Sequence, residues 1–229
     1  MKKAMVIFAA LACFSCGSVD MASRYPNMVA DLDPFPLETI DVAFDQLFSS
    51  KPKINKVNVV FYPRENAVAL EFRHELVRYR QFWNQTGRQQ FTEALAKYKA
   101  DFDNKNLVTK YSKSRSAYGR LKGRAEWETF KITSTYKSAP ILELGYRFRG
   151  DNPYFTVLQR AAKEETGINS EAHLESNQFA MYYTKAQADK LAELFDQNFL
   201  LQAAGVNTDD KNVDSVEPKE PEADEYFAQ

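Results

Sequence analysis

Cysteine is scarce, and its placement excludes more than its number does. The 229 residues hold two, Cys13 and Cys16, and none follows. A chain cut at that point forms no disulfide, uses no thiolate nucleophile and holds no cysteine-ligated zinc. Histidine is equally rare: His74 and His173 are the only two and stand far apart in the sequence. Two such residues do not predict an imidazole metal site. No apolar run beyond the first residues is long enough to predict a membrane-crossing helix. The GxSxG, HExxH, P-loop and Rossmann glycine patterns are also missing. No cofactor or metal is expected, and the reading leans away from an enzyme.

The chain does carry a marked start. Lys2 and Lys3 precede an apolar run from Ala4 to Ala12, which ends at the two cysteines. A short basic start, roughly seven to fifteen apolar residues and small residues at the cut make a secretory leader, too short to span a bilayer. With a cysteine at the cut, this leader resembles that of bacterial lipoproteins. In that class the cysteine after the cleaved bond becomes the acylated first residue of the mature protein. Ala10-Leu11-Ala12-Cys13 has the small residue before the cysteine but leaves a very short leader. Phe14-Ser15-Cys16-Gly17-Ser18 gives a fuller apolar segment with Ser15 before the cut. Cys16 is the expected lipidation site and Cys13 the alternative. The resemblance covers residues 1–18 and implies a protein held outside the cytoplasm at the cell membrane or outer membrane. Gly17 and Ser18 look like the residues after the anchor in lipoproteins passed on to an outer membrane. A single acyl chain holds a membrane only marginally, so retention implies the several chains that such lipoproteins carry. An address outside the cytoplasm argues against a nucleic-acid partner.

Net charge is -1, but it is laid out unevenly. Lys105 to Lys137 holds nine Lys/Arg and two Glu, whereas Val206 to Gln229 holds two Lys and eight Asp/Glu. The asymmetry says more than the sum. Residues 1–15 read as a signal peptide. Residues 16–36, polar and containing Tyr25-Pro26 and Asp33-Pro34-Phe35-Pro36, read as a flexible tether. Residues 37–205 read as one domain, and 206–229 as a disordered acidic tail without the apolar content to offset the entropy of ordering. Seventeen Phe and twelve Tyr supply a core, at about 1.5–3 kcal/mol for each fully buried Phe.

Leu37, Ile40, Phe44 and Leu47 are spaced three, four and three, which predicts a short amphipathic helix over Leu37 to Phe48. Val57, Val59 and Phe61 alternate before Pro63-Arg64-Glu65-Asn66, and Val68, Leu70 and Phe72 alternate after it. That pattern predicts a hairpin with one buried face. A helical period runs from about Glu75 to Asp103, first in Leu76, Tyr79 and Trp83, then in Phe91, Leu95, Tyr98 and Phe102. Gly87 divides or bends it, and Thr86 caps the second part. Tyr111 to Lys163 returns to alternation. Gly119, Leu121, Gly123, Ala125 and Trp127 make one face there; Arg120, Lys122, Arg124, Glu126 and Glu128 make the other. Leu142, Leu144, Tyr146 and Phe148 line a further strand, Gly150-Asp151-Asn152-Pro153 turns the chain, and the simplest topology is a meander. Gln178 to Tyr183 is a last strand. Thr184-Lys185-Ala186-Gln187 then opens a helix as a capping box, which Gly205 ends. The expected fold class is α+β, a mostly antiparallel sheet of hairpin plus meander with helices packed on one face.

Arg115, Arg120, Lys122 and Arg124 are the candidate anion- or partner-binding residues, because cations two apart on a strand share a face. Such a row suits an anionic envelope component or an acidic protein partner, although exposed strands commonly carry such charges as a solvated outer face. The tail from Asp209 to Glu225 is a candidate screen for it, through weak, salt-sensitive pairs. Glu126/Glu128 and Glu164/Glu165 are the paired carboxylates. The first pair shares a strand face, which acid–base work would need inside a cleft. Tyr79, Phe82, Trp83 and Phe91, with Arg78 and Arg80 at the rim, make either an apolar groove or core. The function expected is non-catalytic binding or scaffolding in the cell envelope. The alternatives are an envelope hydrolase acting on cell-wall material and a carrier of a small apolar ligand.

Overall fold

β-Branched and aromatic residues alternate along much of the chain, and a strand turns every second side chain to one face. The computed structural model describes residues 25–46, 49–129, 134–165 and 174–206. It pairs those alternating segments into a ten-stranded antiparallel sheet. The first strands are β1 (Phe35–Gln46), β2 (Ser49–Tyr62), β3 (Ala67–His74) and β4 (Val77–Trp83). Helix α1 (Gln85–Asp103) follows, then β5 (Gly119–Lys122), β6 (Arg124–Thr129), β7 (Tyr136–Ser138), β8 (Ile141–Arg149) and β9 (Asn152–Gln159). The short β10 (Ala162–Lys163) and β11 (Glu175–Ser176) precede β12 (Phe179–Tyr183), α2 (Lys185–Phe195) and α3 (Gln197–Ala203). Across the large sheet the order is β5-β8-β9-β12-β1-β2-β3-β4-β6-β7, with β10 and β11 paired separately.

Only Gly123 separates β5, at one end of that order, from β6, near the other. The sheet therefore curls into a half-barrel, and groups on strands distant in the order meet across its hollow. Gln81 Nε2 on β4 donates to Gln159 Oε1 on β9 at 2.9 Å, and the Asn177 amide donates to Tyr79 Oη at 3.0 Å. Inward positions are buried, among them Val42 and Phe44, Val57 to Phe61 at every second residue, and Phe155, Val157, Phe179 and Met181. Rings fill the hollow. Phe72 stacks on Tyr79 at 5.6 Å, and Phe179 meets both at 5.5 and 5.0 Å. Phe91 of α1 meets Trp83, Phe155 and Phe195 at 5.6, 5.3 and 5.1 Å.

The structure bears out the hairpin, with Tyr62 opposite Ala67, and the capping box, with the Gln187 amide donating to Thr184 Oγ1 at 3.2 Å. It overturns two helices. Leu37 to Gln46 is strand: β1 pairs with β2 from Phe35–Phe61 to Gln46–Ser49 and with β12 at Phe44–Met181. Ile40, Val42 and Phe44 fit a period of two as well as Leu37, Ile40 and Phe44 fit a helix, and strand partners on both sides decide it. Leu76, Tyr79 and Trp83 likewise belong to strand and turn, with Leu76 69% exposed. The inward position between Tyr79 and Trp83 is polar Gln81, which breaks the apolar alternation. It is buried because Gln159 and the Trp83 indole N–H, at 3.0 Å, satisfy it. The cap of α1 is Asn84, whose Oδ1 accepts from the Gly87 amide at 2.8 Å, rather than Thr86. The last helix is two, because Asp196 is extended and caps α3 through the Phe199 amide. The meander also gives way, since β5 and β6 pair at opposite ends of the sheet. The architecture is sheet-dominated α+β.

Three local devices hold this arrangement. Arg88 of α1 is 2% exposed and donates to Asn66 O, Trp83 O and Phe195 O at 2.7, 3.2 and 3.1 Å, and to Asn66 Oδ1 and Gln197 Oε1 at 3.0 and 2.6 Å. A Cβ at Gly145 would collide with the backbone at Ser114 and Arg115, so the 3-10 turn Ser114–Ser116 lies on β8 only because residue 145 is glycine. Of the expected tether, Phe35 and Pro36 already belong to β1, and the stretch before them lies against the β2–β3 turn. The Val29 amide donates to Pro63 O at 2.9 Å, and Arg64 holds Asp31 and Asp33 at 2.6 and 2.8 Å. The leader with Cys13 and Cys16, the remaining tether, Leu47 and Phe48, residues 130–133, residues 166–173 with His173, and the tail from 207 lie outside the described residues.

His74 ends β3 and is 4% exposed, between the rings of Phe44 and Phe179 at 5.6 and 5.0 Å. Burial lowers its pKa, against the opposing pull of Glu75 and Asp45. Above about pH 6.5 both folded and unfolded His74 are neutral and stability does not depend on it. Below that pH the unfolded chain takes up a proton that the folded one refuses, so stability falls as pH drops. Urea midpoints from about pH 7 to pH 5 should therefore decline in the wild type and less steeply in His74→Phe; parallel declines would contradict this.

Candidate functional site

Outward side chains on adjacent strands stand in cross-strand rows, so register alone says which charges meet. On the outer face of β3, β4 and β6, Glu71 stands opposite Arg80, and Arg80 opposite Glu126. Arg80 Nε lies 3.2 Å from Glu71 Oε1, and its Nη1 donates to Glu126 Oε2 at 2.6 Å. Tyr62 reinforces the row from β2, its hydroxyl donating to Glu71 Oε1 at 3.2 Å. Burial pushes that phenol up to about 12, so it stays a donor at neutral pH.

The next row reads differently. Arg73 stands directly opposite Arg78, and Arg78 opposite Glu128. Lys56, one residue beyond the Val57–Phe72 rung, continues the row on β2. Glu128 accepts from Thr135 Oγ1 at 2.8 Å instead of closing on Arg78. Together the two rows line a cleft of about 530 Å³, with Asn58 and the edges of Phe72, Tyr79 and Trp127 completing its wall. Among the described residues no cluster of His, Cys, Asp and Glu is arranged to hold a metal ion.

The residues singled out from sequence divide between this cleft and other places. Glu126 and Glu128 are in it, with Arg78 and Arg80, which arrive on a strand and not on a helix rim. Arg115, Arg120, Lys122 and Arg124 do not line it. Arg115 is in the Ser114–Ser116 turn. Arg120, on β5, pairs with buried Glu143 at 3.2 Å, and Lys122 ends that strand exposed. Arg124, across Gly123 on β6, pairs with Glu65 at 2.6 Å and lies 3.7 Å above the Phe82 ring. Glu164 and Glu165 are beside the β7 edge, where the Glu165 amide donates to Lys137 O at 2.8 Å. Tyr79, Phe82, Trp83 and Phe91 are all buried and form core, not an open groove. Sequence reading passed over Lys56, Glu71 and Arg73. Glu71 and Arg73 were present as charges at alternate positions of the predicted hairpin and Lys56 stood just before it, but only register shows which residues meet.

A family model described as "Uncharacterised Treponema protein" matches residues 36–202. An uncharacterized protein of Treponema pallidum (strain Nichols) is 24% identical over 147 residues, 61% of this chain and 53% of its own length. The chain thus spans about half the length of this curated relative. No solved structure matches.

Replacing Arg80 leaves Glu71 and Glu126 on one half-buried row without their shared cation. Arg80→Gln should therefore cost about 1–2 kcal/mol by denaturant titration. Lys99→Gln should cost less than about 1 kcal/mol, because the Lys99–Asp189 pair, at 2.7 Å, is more exposed at its carboxylate. Equal losses would show that the cleft row has no special weight.

Proposed function

Since the chain belongs to the family described as Uncharacterised Treponema protein, we propose its role from its own residues: a lipid-anchored cell-envelope protein that binds or scaffolds and does not catalyse. The anchor is Cys16, with Cys13 as the alternative, at the cell membrane or outer membrane. Its support is the leader sequence, Lys2 and Lys3 followed by the apolar run to Ala12. No helix among the described residues is long and apolar enough to cross a membrane.

The observation that carries the binding reading is how the cleft's carboxylates are held. Arg80 engages both Glu71 and Glu126, Thr135 engages Glu128, and among the described residues the lining holds no histidine, cysteine or serine. Carboxylates tied up by a guanidinium or a hydroxyl, with no imidazole or thiol beside them, make a recognition surface. Helices packed on one face of the sheet leave the other, charged face to a partner, an anionic envelope component or a protein. Arg115, Arg120, Lys122 and Arg124 offer that partner a second cationic stretch.

One observation favours a second reading, an envelope hydrolase acting on cell-wall material: Glu71, Glu126 and Glu128 gather in one cleft. Arg80, set between two of them, weighs against it. The apolar-carrier reading has no such support, because the sheet's own rings fill its hollow.

Metabolic labelling with an alkyne fatty acid tests the anchor. The wild-type chain should take up label, and Cys16→Ala should lose it. Retained label in Cys16→Ala assigns Cys13, and an unlabelled wild type overturns the anchor.

A further inference from the structure

An exposed apolar side chain carries meaning where a second observation says what covers it. Leu32 is 42% exposed in the stretch ahead of β1, and Phe199 is 40% exposed in α3. Both stand at the β2–β3 turn. Leu32 lies between Asp31 and Asp33, the two carboxylates that Arg64 of that turn holds. Phe199 follows Gln197 by two residues, and Gln197 Oε1 shares the Arg88 Nη2 donor with Asn66 Oδ1 of the same turn. Charges at this end are met within the domain: Arg64 by Asp31 and Asp33, Arg124 by Glu65, and Asp196 by the Phe199 amide. What it offers a partner is apolar.

The chain also enters the domain here. Tyr25 stands nine residues after Cys16, a span of about 30 Å at full stretch. The Met28 amide then donates to Tyr25 O at 3.1 Å, and the Val29 amide reaches Pro63 O of the turn. Ile54 and Leu76 are more exposed, at 68% and 69%, but they lie at the opposite ends of β2 and β3. Ile54 is nine residues along the strand from Pro63, about 30 Å away. Bringing that end to the bilayer would draw the whole tether back along the sheet, at the expense of its conformational entropy.

We propose that the β2–β3 turn end of the domain rests on the lipid bilayer that holds the anchor, with Leu32 and Phe199 as its apolar contacts. The proposal rests on the anchor reading above and adds the face that meets the membrane. Apolar side chains placed in the interface strengthen the hold of the acyl chains. A consequence follows for the cleft. The Arg73–Arg78 rung and Glu128 lie toward the Ile54 and Leu76 end. That part of the cleft stands clear of the bilayer, and its partner comes from the aqueous side.

Fluorescence quenching tests the contact. The full chain, as its host processes it, is placed in phosphatidylcholine vesicles containing phosphatidylcholine spin-labelled on its acyl chain. An environment-sensitive probe is attached in turn at Leu32→Cys, Phe199→Cys, Ile54→Cys and Leu76→Cys, all exposed positions that tolerate it. Groups held at the interface lie about 5–10 Å into the headgroup boundary, so the first two probes should lose at least about half of their emission. The last two should lose less than about a tenth, since the quencher is confined to the bilayer. Leu32→Ser in the Phe199→Cys chain should reduce the quenching at least about twofold by removing one of two apolar contacts. Quenching at Ile54→Cys or Leu76→Cys that matches the first pair, quenching at none of the four, or no effect of Leu32→Ser overturns the orientation. The fatty-acid label reads the anchor separately. Labelled protein without this pattern keeps the anchor and loses the contact face; the pattern in an unlabelled chain does the reverse.

Discussion

A guanidinium buried without a carboxylate in contact is the constraint on which the rest of this fold depends. Taking an ion out of water costs several kcal/mol in a real protein, and only a full set of hydrogen bonds offsets it. Arg88 has that set. Its acceptors are carbonyl and amide oxygens of Asn66, Trp83, Phe195 and Gln197, which belong to the β2–β3 turn, the end of β4 and the α2–α3 junction. Burial lowers its pKa to about 10, and Asp196 pulls the other way, so it remains charged at neutral pH. Because every acceptor is needed, none of these segments can shift without leaving part of the charge unpaired. Asn66, held at φ 47, accepts through both its backbone and its side chain, which fixes the hairpin turn as well.

That turn and the end of β4 set the register of β2, β3 and β4, and register sets the charge rows outside. Apart from Gln81 and His74 the inward positions of these strands are apolar and closely filled, so a one-residue slip would put Phe72 and Tyr79 in solvent and Arg73 and Arg80 in the core. The burial that stabilises the sheet thereby also forces Arg73 and Arg78 into opposition. Gly123 has a comparable effect at the other end of the order. It carries the chain from β5 to β6, so one charged segment serves both ends of the curled sheet.

Much of the inner face was legible because burial writes itself as a period of two. Val57 to Phe61, Val68 to Phe72 and Leu142 to Tyr146 read correctly on that basis. Where it failed, a specific feature hid the period. In β1 a helical spacing and a strand spacing coexist in the same residues. In β4 Gln81 is polar and buried, and its partner Gln159 is remote in sequence. The break at Asp196 was hidden because apolar residues continue through it. The candidate site was half legible. Glu126, Glu128, Arg78 and Arg80 were visible as charged residues, but a cleft assembled from four strands depends on pairings that no local window contains. The cationic stretch at Arg120 to Arg124 stood out because it is local, and the structure gives Arg120 and Arg124 carboxylate partners, Glu143 and Glu65, from other strands and turns.

One buried cation thus ties the turn, the β4 end and the helix junction into a single cooperative unit. Urea unfolding of Arg88→Met, in which a side chain of similar length leaves the carbonyls unpaired, tests it most directly. The expected loss is on the order of 3 kcal/mol. Arg88→Lys should recover less than half of it, since one ammonium cannot span acceptors on three segments. A loss in Arg88→Met below about 1 kcal/mol, within the range of an ordinary surface substitution, would contradict it.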